Sequence, residues 1–378
     1  MRVFVFLGHG FGASQWEERW HKGNLPGRNE RLPYGYFHAA SLGCEVIYSE
    51  DRKENAPVRL ARRVLRRLAG FDLIHAWRNR QGLQQVDVVW TYTEREHLAA
   101  LLLWRLLRKR SRPPLIAQSV WLFDRWPRLT QVRRRFYEWL LKDAEMLAVQ
   151  SPDGVVRARQ SCPKSRVEWL PFGTSCNEAA SPESRSIHSP LRIASLGNDV
   201  DRDWPTFLEA IADFPSQVRI ASARLKPRAF EIPSHVLIER PRTADAINRL
   251  YEWADIVVVP LRHNLHASGI TTICEAVMAG IPVICSDAGG LRGYFNDGEI
   301  RYVPPNDPVE MRHALEQMAA SVDAGRFEMV KRAQRRIQTG GFTSAAFAAR
   351  NYQWSKSMIR ESSDKACKDT SPIKQLTE

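Results

Sequence analysis

The stretch His266-Ala-Ser-Gly-Ile-Thr-Thr-Ile-Cys-Glu-Ala-Val-Met-Ala-Gly-Ile-Pro-Val-Ile-Cys-Ser-Asp287 decides how the rest of the chain is read. Ahead of it, Asp255-Ile-Val-Val-Val-Pro260 is an apolar, β-branched run whose length suits a strand buried on both faces. The polar turn His263-Asn-Leu-His-Ala-Ser-Gly269 comes next, and then a helix opening near Thr271. Gly280 stands where that helix should stop, and Pro282-Val-Ile-Cys-Ser286 begins a further strand. The pattern predicts strand, turn, helix and strand in succession. The first N–H groups of such a helix lack intrahelical acceptors, so its N-terminus offers donors and positive dipole to an anion.

These residues resemble the signature segment of GT-B glycosyltransferases, specifically the retaining, family 4-like group with an E-x7-E motif. Glu275, followed by Ala276 and Gly280-Ile-Pro-Val, matches the second glutamate, and the resemblance implies that it binds the ribose of a nucleotide sugar. The resemblance also implies that the backbone at Ser268, Gly269, Ile270, Thr271 and Thr272 holds the donor diphosphate. The first glutamate would fall at Ala267, with His266 beside it. The group's usual contact to the donor sugar is therefore absent or supplied by His266.

At 378 residues the chain is long enough for two domains, each with its own core. A hydrophobic content of 44% with 26% charged residues is that of a soluble globular protein. Met1-Arg-Val-Phe-Val-Phe-Leu7 runs straight into glycines and reads as a first strand, not a signal peptide. The longest apolar helix candidate, residues 98–107, is about half the length a bilayer requires. Cysteines 44, 162, 176, 274, 285 and 367 form no C-x-x-C pair, so a reduced, cytoplasmic protein is expected. The net charge of +13 comes from arginines clustered in the first half and points to an anionic partner. No nucleic-acid module accompanies that charge, so no nucleic-acid partner is expected.

The expected fold class is α/β: a GT-B arrangement of two Rossmann-like doubly wound domains facing a cleft. Residues 1–175 form the acceptor-side domain, 176–190 a Ser-, Glu- and Pro-rich linker, and 191–342 the nucleotide-sugar-binding domain. Residues 343–361 are expected as a helix crossing back to the first domain, and 362–378 as a disordered tail. In the first domain, Gly8-His-Gly-Phe-Gly12 comes after strand one, and Gly10 and Gly12 mark an acceptor-side loop open to close backbone approach. Residues 17–31 read as a mobile acceptor-side loop, 32–40 as a helix and 72–76 as a short strand. Residues 55–70 read as a helix capped by Asn55, with apolar positions on one face and Arg59, Arg62, Arg63, Arg66 and Arg67 on the other. Further arginine clusters lie at residues 108–112 and 133–135.

The expected chemistry is departure of a nucleoside diphosphate and attack by an acceptor hydroxyl on the anomeric carbon. Arg202, just past Gly197 at the end of a strand, and Arg224 are placed to neutralise the leaving group. Asn198 stands where the resemblance leads one to expect an arginine. No cofactor is expected beyond the nucleotide-sugar donor. His263 and His266 have H-x-x-H spacing, but no third ligand is recognisable, so no metal is expected. The catalytic group is unknown. Asp124, His9 and Glu94 are candidates for a general base by loop position, with His266 beside the donor, and Gln118 occupies the place of a histidine frequent in retaining relatives. Asp287 reads as a capping residue. The function expected is transfer of a sugar, with retention, to a glycolipid or polysaccharide-precursor acceptor. That acceptor would be reached at the cytoplasmic face of an anionic membrane, to which the enzyme binds peripherally. The alternatives are a catalytically weakened nucleotide-sugar-binding protein of this fold and a nucleotide-sugar epimerase.

Overall fold

The computed structural model describes residues 1–108 and 112–369. The first six strands are β1 (Arg2–Phe6), β2 (Glu45–Tyr48), β3 (Val88–Thr91), β4 (Leu115–Ser119), β5 (Met146–Val149) and β6 (Val167–Trp169). They form one parallel sheet in the order β2-β1-β3-β4-β5-β6. The next six are β7 (Leu191–Leu196), β8 (Ser216–Ala221), β9 (Val236–Glu239), β10 (Ile256–Val259), β11 (Val283–Ser286) and β12 (Arg301–Val303). They form a second parallel sheet in the order β12-β11-β10-β7-β8-β9. Helical crossovers bury both faces of each sheet, which is why these strands read as continuous apolar runs. Along β1, Phe4 and Phe6 pack into one core layer while Val3 and Val5 pack into the layer behind. In the second sheet Val257 and Val259 face one layer, and Ile256 and Val258 the other.

The order in which strands are added reverses between β1 and β3 in the first sheet and between β7 and β10 in the second, while all strands stay parallel. Ligands in open α/β sheets bind in the crevice outside the carboxyl ends of strands at such switch points. Here those two crevices open onto one cleft, lined from both sides by Gly8, His9, Tyr92, Trp121, Asn198 and Asp199.

Four local expectations are corrected. Residues 72–76 are not a strand: Leu73–Arg78 is a helix, and the Asp72 side chain caps it by accepting from His75 N at 3.1 Å. The segment expected as a helix at 32–40 is a 3-10 stretch, Pro33–Leu42, broken where Tyr34 and Gly35 adopt positive φ. The segment 17–31 is not an irregular loop throughout; Ala13–His21 is helical, and residues 23–28 are held by hydrogen bonds to the second domain. The last helix, Ser344–Asp369, extends eight residues past 361 into the expected tail; residues 370–378 lie outside the described residues, as do 109–111 of one arginine cluster. Phe347, Ala348 and Met358 of that helix join the first-domain core, and Trp90 Nε1 donates to Ser355 Oγ at 2.8 Å. Among the described residues no helix is long and apolar enough to cross a membrane, and Cys44, Cys162, Cys176, Cys274 and Cys285 are unpaired and buried.

Candidate active site in the interdomain cleft

The second-domain side of the cleft is built around a buried guanidinium. After β7 the chain turns at Gly197, and Arg202 folds back beneath it. Its Nε donates to Leu196 O at 3.0 Å, Nη1 to Ser268 Oγ at 3.1 Å and Nη2 to Thr272 Oγ1 at 3.4 Å. A Cβ at Gly197 would fall on the guanidinium, and one at Gly269 would lie 3.2 Å from Nη1, so both glycines make room for it. All three acceptors are neutral. Burial lowers the pKa of Arg202, but an arginine keeps its proton at any ordinary pH. A full positive charge therefore sits behind the first turn of the helix Ile270–Met278, with no direct carboxylate partner among the described residues. The backbone N–H groups of Thr271 and Thr272 have no protein acceptor among the described residues. Helix dipole, free amides and guanidinium all favour an anion at this point.

Glu275 lies one turn further along and is buried. Its Oε2 accepts from Tyr251 OH at 2.8 Å, and its Oε1 accepts from the backbone N–H of Arg28 at 2.7 Å. Burial raises its pKa, against the opposing pull of those two donors. Arg28 belongs to the segment expected as a mobile acceptor-side loop. That segment instead spans the cleft: Ala244 N donates to Gly23 O at 3.1 Å, and Arg28 Nε donates to Asn248 Oδ1 at 3.2 Å. A cavity of ≈ 100 Å³ remains between Trp16, Arg28, Tyr34, Thr271 and Glu275.

His266 joins the two domains. Its Nδ1 lies 2.9 Å from Asp124 Oδ2 in the first domain, and its Nε2 lies 3.2 Å from Asp199 Oδ2 in the second. Burial alone would lower its pKa, but the hydrogen bonds and charges of Asp124 and Asp199 outweigh that and raise it to about 9. The ring is an imidazolium at neutral pH. Asp124 also accepts from Leu265 N at 2.7 Å, and Trp121 Nε1 donates to Asp199 Oδ2 at 3.3 Å. Ala267, at the motif's first glutamate position, is buried in the core with φ of 51°, in the left-handed region.

The further partners of His266, which H-x-x-H spacing does not reveal, come from Asp199-Val-Asp201. Ligand atoms of Asp199, Asp201 and His266 all lie within 4.8 Å of one another, whereas His263 is exposed and apart from them. A cation bound through the ring would have to displace the imidazolium proton, and His266 offsets only part of the charge of Asp124, Asp199 and Asp201 around it.

On the first-domain side, Gly10 N and Gly12 N donate to the two oxygens of Asp51 at 3.0 and 2.9 Å, which clamps the glycine loop. His9 lines the cleft, with Nε2 3.8 Å from Glu54 Oε1. Glu94 Oε2 accepts from Val120 N and Trp121 N at 3.4 and 3.3 Å, so it shapes the turn after β4. Gln118 is fully buried and its Oε1 accepts from Tyr36 OH at 3.4 Å, which makes it a core residue rather than a cleft residue. Asn198 Oδ1 accepts from Ala223 N at 2.7 Å, and Asp287 pairs with Arg292 Nε at 2.6 Å. Glu96, which loop position does not single out, is driven up to about 7 by burial despite hydrogen bonds from Thr93 N and Thr93 Oγ1. Thr93 with Glu96 three residues on is a capping box legible in the sequence; its place in the cleft is not.

Known proteins share this fold to different extents. Residues 207–321 match the family model described as glycosyl transferases group 1. A comparison with curated proteins returns no match. Among solved structures, sucrose-phosphate synthase from Thermosynechococcus elongatus is similar over 96% of this chain and 100% of its own, at 14% identity and TM-score 0.70. The HepE protein of Anabaena, in complex with UDP-glucose, is similar over 94% and 99% at 14% identity and TM-score 0.65. The α,α-trehalose-phosphate synthase (UDP-forming) from Burkholderia vietnamiensis is similar over 94% and 98% at 10% identity and TM-score 0.60. The fold is that of GT-B glycosyltransferases. Fold and matched segment together define an enzyme of the glycosyltransferase class.

Proposed function

We propose that this protein transfers a sugar, with retention, from a nucleoside-diphosphate sugar to an acceptor hydroxyl, without a bound divalent metal. The acceptor oxygen bonds to the anomeric carbon as the bond to the diphosphate breaks. The nucleoside diphosphate leaves with that electron pair and takes up the hydroxyl proton. The observation that carries the reading is the Arg202 guanidinium behind the free amides of Thr271 and Thr272, which supplies positive charge where leaving-group charge develops. Glu275 is the acceptor for ribose hydroxyls once Arg28 N–H releases it. HepE is complexed with UDP-glucose, which makes UDP-sugars the first donors to test. Titration with UDP- and GDP-sugars, followed by NMR of the product anomer, tests donor and stereochemistry together. Activity that is lost to EDTA and restored by manganese would overturn the metal-free part.

The acceptor proposed is a glycolipid or polysaccharide precursor, reached at the cytoplasmic face of an anionic membrane. The helix Ala56–Ala69 supports this by its orientation. Arg62 points inward, where Nε bonds to both Glu54 oxygens at 2.9 and 3.0 Å and Nη1 to Asp72 at 2.9 Å. Leu60, Val64, Leu65 and Leu68 are left exposed, flanked by Arg59, Arg63 and Arg67. An apolar stripe beside a basic one is the pattern of helices that lie in a membrane interface.

A further inference from the structure

The larger cavity of the cleft, ≈ 330 Å³, lies between the ends of β1, β3 and β4 and the turns after β7 and β8. Four guanidinium-bearing residues line it: Arg66, Arg95 and Arg125 from the first domain and Arg224 from the second. They come from four different elements. The side chains of Arg66, Arg95 and Arg224 have no ion pair or hydrogen bond among the described residues. Arg125 has one long ion pair, 3.6 Å to Glu94 Oε1, and lies over the Trp121 ring at 5.8 Å from its centroid. The cavity's carboxyl groups are each engaged elsewhere. Asp72 is held by Arg62 at 2.9 Å, Asp199 by His266 at 3.2 Å, and Glu96 by Thr93 Oγ1 at 2.6 Å. Like charges brought to one volume repel, and the repulsion is relieved when an anion enters. Guanidinium groups match a phosphate in charge and fork geometry. The same cavity offers flat ring surfaces suited to a sugar: Tyr92 stacks on Tyr34 with centroids 3.7 Å apart, and Trp121 also lines it.

We propose that the acceptor sugar carries a phosphate, gripped by Arg66, Arg95, Arg125 and Arg224, with its ring against Tyr92 and Trp121. This rests on the glycosyltransferase reading and names the substrate class of its acceptor site. Phosphate can arrive on a free hexose phosphate or on a sugar linked through diphosphate to a lipid, and the test has an arm for each.

The experiment titrates wild-type protein, saturated with nucleoside diphosphate, against hexose phosphates, their neutral parent sugars, and a polyprenyl-diphosphate-linked sugar in micelles. Phosphorylated sugars should bind at least about tenfold tighter than their parents, and the margin should shrink as salt rises. Arg95→Gln should narrow that margin, with its effect on neutral sugars small. Preference for the micellar sugar alone identifies the lipid source; preference for a hexose phosphate identifies the free one. If no phosphorylated sugar of either kind outbinds its neutral parent in protein that binds nucleoside diphosphate, the proposal is overturned while the donor reading stands. If nucleoside diphosphate itself does not bind, the glycosyltransferase reading fails and takes this proposal with it.

Discussion

The backbone N–H of Arg28 donates to Glu275 Oε1 at 2.7 Å, so a first-domain segment occupies the carboxylate proposed to hold the donor ribose. On the proposed reading, a ribose hydroxyl that takes the place of Arg28 N–H at this oxygen would spend part of its binding energy on moving residues 26–29 aside, lowering the apparent affinity.

Two substitutions should therefore move donor affinity in opposite directions. Glu275→Ala removes a charged acceptor and should weaken nucleoside diphosphate binding by about ten- to a hundredfold, or roughly 1.5–3 kcal/mol. Gly27 has φ of +97°, and a Cβ there would lie 3.0 Å from Glu275 Oε1. Gly27→Ala should dislodge the segment and raise the affinity. Calorimetric titration of both variants checks this; equal weakening in both would show that the segment is not a competitor.

Arg202 should matter through charge. Arg202→Gln keeps a donor for Leu196 O but removes the positive charge behind Thr271 and Thr272. Nucleoside diphosphate affinity should fall at least about tenfold, the lower end for losing a charged partner. Gly197→Ala, whose Cβ would fall on the guanidinium, should reproduce the loss without removing any charge. Circular dichroism with the same titration separates lost binding from lost fold.

His266 gives stability a pH dependence that can be signed. Its folded pKa of about 9 exceeds the unfolded value of about 6.5. The stabilisation is fully present below about pH 6.5 and is lost as pH rises towards about 9, at on the order of 1.4 kcal/mol per pH unit. Asp199 is affected in the opposite sense: burial raises its pKa, but the His266 hydrogen bond and charge hold it well below the usual carboxylate range. Its contribution is present above about pH 3.9 and is lost as pH falls through its folded pKa. Urea midpoints between pH 6.5 and 9 should fall in wild type, and the slope should flatten in His266→Gln. An unchanged slope would mean the imidazolium is not what ties the domains.

The arginines of the helix Ala56–Ala69 should divide into two classes. Replacing Arg59, Arg63 and Arg67 by Gln should weaken co-sedimentation with anionic vesicles, each contributing about 1 kcal/mol near such a surface. Arg62→Gln should leave vesicle binding nearly intact but destabilise the fold by about 3–5 kcal/mol, because Glu54 and Asp72 lose a buried partner. Wild type that ignores anionic vesicles at low salt would refute the membrane reading.

Legibility in the sequence differs by element. The helix Ala56–Ala69 is readable to its caps, with Asn55 accepting from Val58 N and Gly70 in the left-handed region at its end. Its rotation is not readable. A helical stripe shows which residues share a face but not which face meets the protein, and here Glu54 and Asp72 turn Arg62 inward. Residues 72–76 read as a strand because a short apolar run fits either period; Asp72 decides for helix by capping His75 N.

The sequence by itself determined most strands of the two sheets, because strands buried on both faces are near-continuous apolar runs. It determined Glu275 and Arg202 as candidates as well, because a helix N-terminus and a glycine at a strand end are local features. Only the tertiary structure decided what those residues meet. Arg28 reaches Glu275 across 247 positions, and Asp124 reaches His266 across 142. Such pairings depend on how the two sheets are set against each other, and no local periodicity encodes that. The same holds for the four guanidinium groups of the cleft: the sequence singles out Arg224 for the leaving group and Arg66 for a helix face, and only the tertiary structure brings them with Arg95 and Arg125 to one cavity.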